Sequence, residues 1–71
     1  MIKLEKNKSI TFSRIDATTG CDILVTSVAN LFDDDMEIEE EKLPSANLYS
    51  FKVKSCFIQI FANKYEIKEI G

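Results

Sequence analysis

Apolar and polar residues alternate along most of this chain with a period of two, the pattern of strands that bury one face. Ile2 and Leu4 alternate with Lys3 and Glu5, and Ile10 and Phe12 alternate with Ser9, Thr11 and Ser13. The short polar stretch Lys6-Asn7-Lys8 between them predicts a hairpin. Asp16 to Gly20 reads as a turn, because glycine supplies positive φ and Asp and Thr side chains bond nearby backbone.

Residues 21–28 then admit two readings. Leu24, Val28, Leu31 and Phe32 have the spacing of a helix face, with Asp22 as its cap, which predicts a helix over about 22–32. Against it, Ile23, Val25, Thr26 and Val28 are β-branched, and Asp33-Asp34-Asp35 would crowd the negative end of the helix dipole. A strand over about 21–28, followed by a turn or short helical loop from Asn30 to Asp34, is the preferred expectation.

Met36 and Ile38 alternate with Glu37 and Glu39, giving a strand with an acidic face. The break at residues 42–47 contains Pro44, which is excluded from sheet interiors. Tyr49, Phe51 and Val53 then alternate with Ser50, Lys52 and Lys54. One hairpin register sets Ile38 against Phe51 and Met36 against Val53 on the apolar side, and Glu37 against Lys52 and Asp35 against Lys54 on the other. Cys56 to Ala62 is apolar on both faces except at Gln59, as a central strand would be. Asn63-Lys64 predicts a tight hairpin that sets Ile60 opposite Ile67.

These elements make the chain mainly β: five or six strands in a small antiparallel sheet curled into a barrel or sandwich, with residues 1–71 as a single domain. The alternative is α+β, with one helix at about 22–32 packed on the sheet.

Composition narrows the chemistry. The 71 residues include two cysteines and no histidine, so cysteine and histidine from one chain cannot complete a tetrahedral zinc site. Without histidine, without a glycine-rich phosphate loop and without a base near either cysteine, a catalytic centre is hard to assemble. The expectation is therefore a non-enzymatic protein with no cofactor and no metal. The opening MIKLEKNKSI carries four charges and lacks the apolar run of a secretory signal, and no segment reaches the roughly 18 apolar residues of a membrane span. A cytoplasmic location follows as an expectation, with Cys21 and Cys56 as free, buried thiols and a single disulfide between them as the alternative.

Net charge is −3, but its distribution is uneven. Lys3, Lys6, Lys8 and Arg14 outweigh Glu5 and Asp16 in the first twenty residues, and Lys52, Lys54, Lys64 and Lys68 outweigh Glu66 and Glu69 after residue 45. Between them, eight carboxylates face Lys42 alone. Seven of these eight lie within residues 33–41, and three readings compete for them. They form a solvated strand edge that discourages aggregation, a divalent-metal loop, or a docking surface for a basic partner. Asp33 and Asp35 have the first and third positions of a calcium loop, but Ile38 and Pro44 stand where its glycine and glutamate belong.

The docking reading assigns the contact to Asp33, Asp34, Asp35, Glu37, Glu39 and Glu41, with Tyr49 as the aromatic anchor. Its partner is another protein with a basic surface, of the nucleic-acid-handling kind. The chain is then an accessory or inhibitor protein such as phages and mobile elements encode. A rival reading takes Phe12, Tyr49, Phe51, Phe57, Phe61 and Tyr65, with Arg14, Lys52, Lys54 and Lys64, as a small barrel that stacks single-stranded nucleic acid. Net negative charge argues against direct nucleic-acid binding. A third reading is a structural homo-oligomer, in which an edge strand pairs with its symmetry mate as a homodimer.

Overall fold

The computed structural model describes residues 1–70, the side chain of Leu24 apart. Seven strands form: β1 (Ile2–Leu4), β2 (Lys8–Ile15), β3 (Asp22–Ala29), β4 (Met36–Lys42), β5 (Asn47–Val53), β6 (Cys56–Ala62) and β7 (Lys64–Glu69). They build two antiparallel sheets, one ordered β1-β4-β5-β6 and the other β3-β2-β7, and these do not close into a barrel. Seven strands replace the expected five or six, and residues 56–69 supply one strand to each sheet in turn, β6 to the first and β7 to the second. No helix forms among the described residues, and none is long and apolar enough to cross a membrane. The α+β alternative is thereby overturned. Residues 22–29 pair with β2, where β-branched side chains pack on the pleat without the rotamer restriction a helix would impose.

Local turn chemistry follows the sequence closely at Asp16. Its Oδ1 accepts a hydrogen bond from the Thr18 N–H at 2.9 Å, its carbonyl accepts from the Gly20 N–H at 2.8 Å, and Gly20 takes a φ of 74°. This closes the β2–β3 hairpin. Asn7 likewise adopts a positive φ of 63°, a region asparagine tolerates, so the chain does turn at Lys6-Asn7-Lys8. The turn does not close a hairpin. β1 pairs with β4, setting Ile2 against Ile38, while β2 crosses to the other sheet and pairs with β3 and β7. Alternation sets which face a strand buries and leaves its neighbour open.

The same correction applies at Asn63. β6 and β7 do not pair with each other; β6 pairs with β5, and β7 sets Ile67 against Ile10 of β2. Asn63 is the corner between the sheets. Its N–H donates to the Ser13 carbonyl at 2.9 Å, its Oδ1 accepts from the Ile15 N–H at 2.7 Å, and its Nδ2 donates to the Ser45 carbonyl at 3.2 Å. β6 is consequently an edge strand and not a central one, with Phe57, Gln59 and Phe61 exposed.

Both sheets contribute to one buried cluster. Leu4, Ile10, Phe12, Ile38 and Tyr49 are almost fully enclosed, with Ile2, Met36, Phe51 and Ala62 around them. The Tyr49 ring lies 4.9 Å from that of Phe12 and meets Tyr65 edge-on at 5.7 Å, which fastens the first sheet to the second through aromatic contacts. Cys21 and Cys56 are free, as expected, but exposed. Cys21 sits in the β2–β3 turn and Cys56 opens an edge strand, positions that the residue's usual preference for burial does not anticipate.

Candidate protein-binding site

The acidic run is divided in two by the fold. In β4, Met36 and Ile38 point into the core, so strand parity sends Glu37, Glu39 and Glu41 to the outer face in a single column. Successive carboxylates in that column stand about 6.6 Å apart. Asp33, Asp34 and Asp35 precede the strand and lie in the β3–β4 loop. Asp33 there pairs with Lys6 at 3.3 Å and Asp35 with Lys3 at 4.0 Å. Among the described residues, Glu37, Glu39 and Glu41 form no ion pair within 4.0 Å. Asp33 and Asp35 of the loop are thus ion-paired, whereas these strand carboxylates are not, although Lys3 stands opposite Glu37 on β1.

Asn30 holds this loop against the sheet. Its side chain is fully buried, and its Nδ2 donates to the carbonyls of Leu4 and Asp34, each at 2.9 Å. Its Oδ1 accepts from the Phe32 N–H at 3.0 Å, an Asx-turn. Its backbone joins the β1–β2 turn, donating to the Lys8 carbonyl and accepting from the Asn7 N–H. One asparagine therefore fixes where the three aspartates leave the sheet.

The expected offset between β4 and β5 is present, but at other residues: the ladder does not include the pairs Ile38–Phe51, Met36–Val53, Glu37–Lys52 or Asp35–Lys54. Glu39 faces Ser50, Glu40 faces Tyr49, Glu41 faces Leu48 and Lys42 faces Asn47, the offset that sequence patterning predicts. The ladder stops there. Residues 36–38 pair with β1, so Glu37 stands opposite Lys3, not Lys52. Beyond Ser50, β5 continues beside β6, with Lys52 opposite Phe57. Where β4 and β5 part, a groove of about 440 Å³ opens, with Glu37 and Glu39 on one side and Ser50, Lys52 and Phe57 on the other.

Across this outer face the ladders align Glu39, Ser50 and Gln59 in one row, and Glu41, Leu48 and Phe61 in the next. Phe57 is 60% exposed and Phe61 49%. Phe57 lines the groove with Glu37 and Glu39, while Phe61 stands two strands from Glu41 in its row.

Tyr49 is not among them. It is 1% exposed, sits on the core side of β5 between Glu40 and Ile60, and accepts a hydrogen bond from Asn47 Nδ2 at 3.2 Å. Burial, followed by the neighbouring Glu40, raises its phenol above the ordinary tyrosine range, with the Asn47 hydrogen bond opposing. The expectation of Tyr49 as an interface anchor is corrected to a role in the core. Strand parity carries the signal, since Tyr49 shares the inward face of Phe51.

The single-strand-stacking reading loses half its aromatics by the same parity. Phe12, Tyr49 and Phe51 are buried and present no ring to a base. Asp33 and Asp35, the calcium-loop positions, instead contact lysines. Among the described residues, no group of three or more His, Cys, Asp or Glu side chains is arranged to hold a metal ion. No family model, no curated protein and no solved structure matches this chain.

Proposed function

We propose that this chain is a small, non-enzymatic protein-binding module that docks the outer face of β4 and β6 on a basic surface of a partner protein. The observation that carries this reading is the column Glu37, Glu39 and Glu41, free of ion pairs within 4.0 Å among the described residues and beside the exposed Phe57. Aligned like charges on one strand face repel one another, and glutamate is a poor strand former. The arrangement costs the isolated protein stability and is offset when a cationic surface covers it. Arginine suits the site best, since its guanidinium can pair with carboxylates and stack on a phenylalanine ring.

Basic grooves of this kind are typical of proteins that handle nucleic acid, and an acidic face that occupies one would exclude the phosphate backbone. The reading that follows is an accessory or inhibitor protein of the phage or mobile-element type, acting in the cytoplasm. The partner-contacting set is Glu37, Glu39 and Glu41, flanked by Asp33, Asp34 and Asp35 from the loop, with Phe57 in place of Tyr49 as anchor.

Replacing Glu37, Glu39 and Glu41 together by Gln is expected to leave the far-UV CD spectrum intact and to leave the melting midpoint unchanged or raised. The same variant should fail to capture a partner from an extract of the producing organism. Capture by the wild type should weaken steeply with added salt. Undiminished capture by the triple variant would refute the proposal.

A further inference from the structure

β6 closes the four-stranded sheet, with β5 on one side and no partner strand among the described residues on the other. Natural edge strands are usually blunted by charge, proline or a bulge. β1 carries Lys3, β3 carries Asp22, and β7 carries Lys64, Glu66, Lys68 and Glu69. β6 has none of these devices. Cys56–Ala62 contains no charged residue and no proline, and its ladder to β5 runs unbroken over all seven residues.

Within it, Phe57-Ile58-Gln59-Ile60-Phe61 reads the same in both directions. Two copies paired antiparallel about a two-fold axis through Gln59 would set Phe57 against Phe61 of the second copy, Ile58 against Ile60, and Gln59 against itself. Parity is preserved throughout. Phe57, Gln59 and Phe61 are exposed on the outer face, while Ile58 and Ile60 are half-buried toward the core. A foreign strand would impose no such symmetry, whereas an isologous pair requires a self-complementary one.

We infer that the chain forms a homodimer through β6, joining two four-stranded sheets into one of eight strands. The charges permit it. No like charges meet across the seam, and the row Glu39, Ser50, Gln59 sets the acidic columns of the two copies five strand spacings apart. That is about 24 Å, well beyond the screening length of about 8 Å at physiological salt. Cross-strand aromatic pairs and newly paired backbone drive the association. The contact is one strand wide, below the area of a standard stable interface, so the dimer dissociates on dilution.

Sedimentation velocity from about 10 μM to about 1 mM tests this. The wild type should rise from the 8.1 kDa monomer toward twice that mass and stop there. Gln59 is exposed, so Gln59→Lys and Gln59→Glu should each keep the wild-type CD spectrum. Each alone places like charges at the axis and should stay monomeric throughout. Mixed in equal amounts, they place opposite charges there and should recover the doubled mass. A wild type that stays monomeric, one that grows past two copies, a dimer that survives Gln59→Lys, or a mixture that fails to recover would each overturn the inference.

Discussion

Tyr49→Ala is expected to unfold the protein, not merely to weaken a contact with a partner. The side chain is 1% exposed and joins the two sheets through its rings' contacts with Phe12 and Tyr65. Deleting a buried aromatic costs about 3–5 kcal/mol. A chain of 71 residues has a total stability of about 4–10 kcal/mol, so the loss removes a large part of it. Thermal or urea denaturation followed by CD should show a transition shifted far down or absent. Tyr49→Phe keeps the ring and forfeits the hydroxyl's hydrogen bonding, chiefly that from Asn47, a loss of about 1 kcal/mol.

The wild type and Tyr49→Phe also separate with pH. Because folding raises the Tyr49 phenol above its unfolded value, the folded state retains a proton that the unfolded state releases above about pH 10. Stability from this source is fully present below that pH and falls as pH rises through the folded value. Tyr49→Phe should lose that part of the alkaline decline. If Tyr49→Ala instead melted like the wild type, the aromatic junction between the sheets would not be where the stability lies.

Asn30→Ala is expected to cost about 3 kcal/mol, since it strands the buried Leu4 carbonyl, at about 1–3 kcal/mol, and gives up the part-buried bonds to the Asp34 carbonyl and the Phe32 N–H, at about 1 kcal/mol or less each. Its effect should also reach the site, because this asparagine fixes the loop that carries Asp33, Asp34 and Asp35. Amide hydrogen exchange in residues 30–35 should accelerate more than exchange in β5. Asn30→Asp preserves the Oδ1 acceptor but aims a carboxylate oxygen at two carbonyls. It should be more destabilising than Asn30→Ala at neutral pH and recover on acidification, when the carboxyl regains a donor. Equal exchange rates in the wild type and Asn30→Ala would contradict the anchoring role.

The strands and turns were legible because each has a local cause. Gly20 and the Asp16 side chain make a turn wherever they occur, Pro44 ends a strand, and the matched apolar and charged faces of residues 35–41 and 48–54 set the β4–β5 offset observed. Strand neighbours were not legible. Ile2 and Leu4 alternate identically whether they pair with β2 or with β4, and only the three-dimensional path through Asn7 and Asn63 decides.

At the site, parity was sufficient to place Glu37, Glu39 and Glu41 together and to put Tyr49 in the core with Phe51. An exposed Tyr49 is incompatible with the register that the same alternation predicts. Phe57 and Phe61 were hidden for another reason. Residues 56–62 are apolar on both faces, so alternation within the strand cannot say which face is outside; the answer comes from β5, whose Lys52 stands opposite Phe57. Asn30 left only the weak signal of an asparagine ahead of a loop, a residue type that occurs in many turns without being buried.

Position, not net negative charge, gives the outer face of β4 its partner in the proposed function. Glu37→Gln/Glu39→Gln/Glu41→Gln and Glu5→Gln/Glu66→Gln/Glu69→Gln each remove three exposed carboxylates and reach the same net charge. Partner capture should be compared side by side at one salt concentration, with CD confirming both folds. The second variant should capture partner as the wild type does, while the first captures none. Equal loss in the two variants, or no loss in the first, would contradict it.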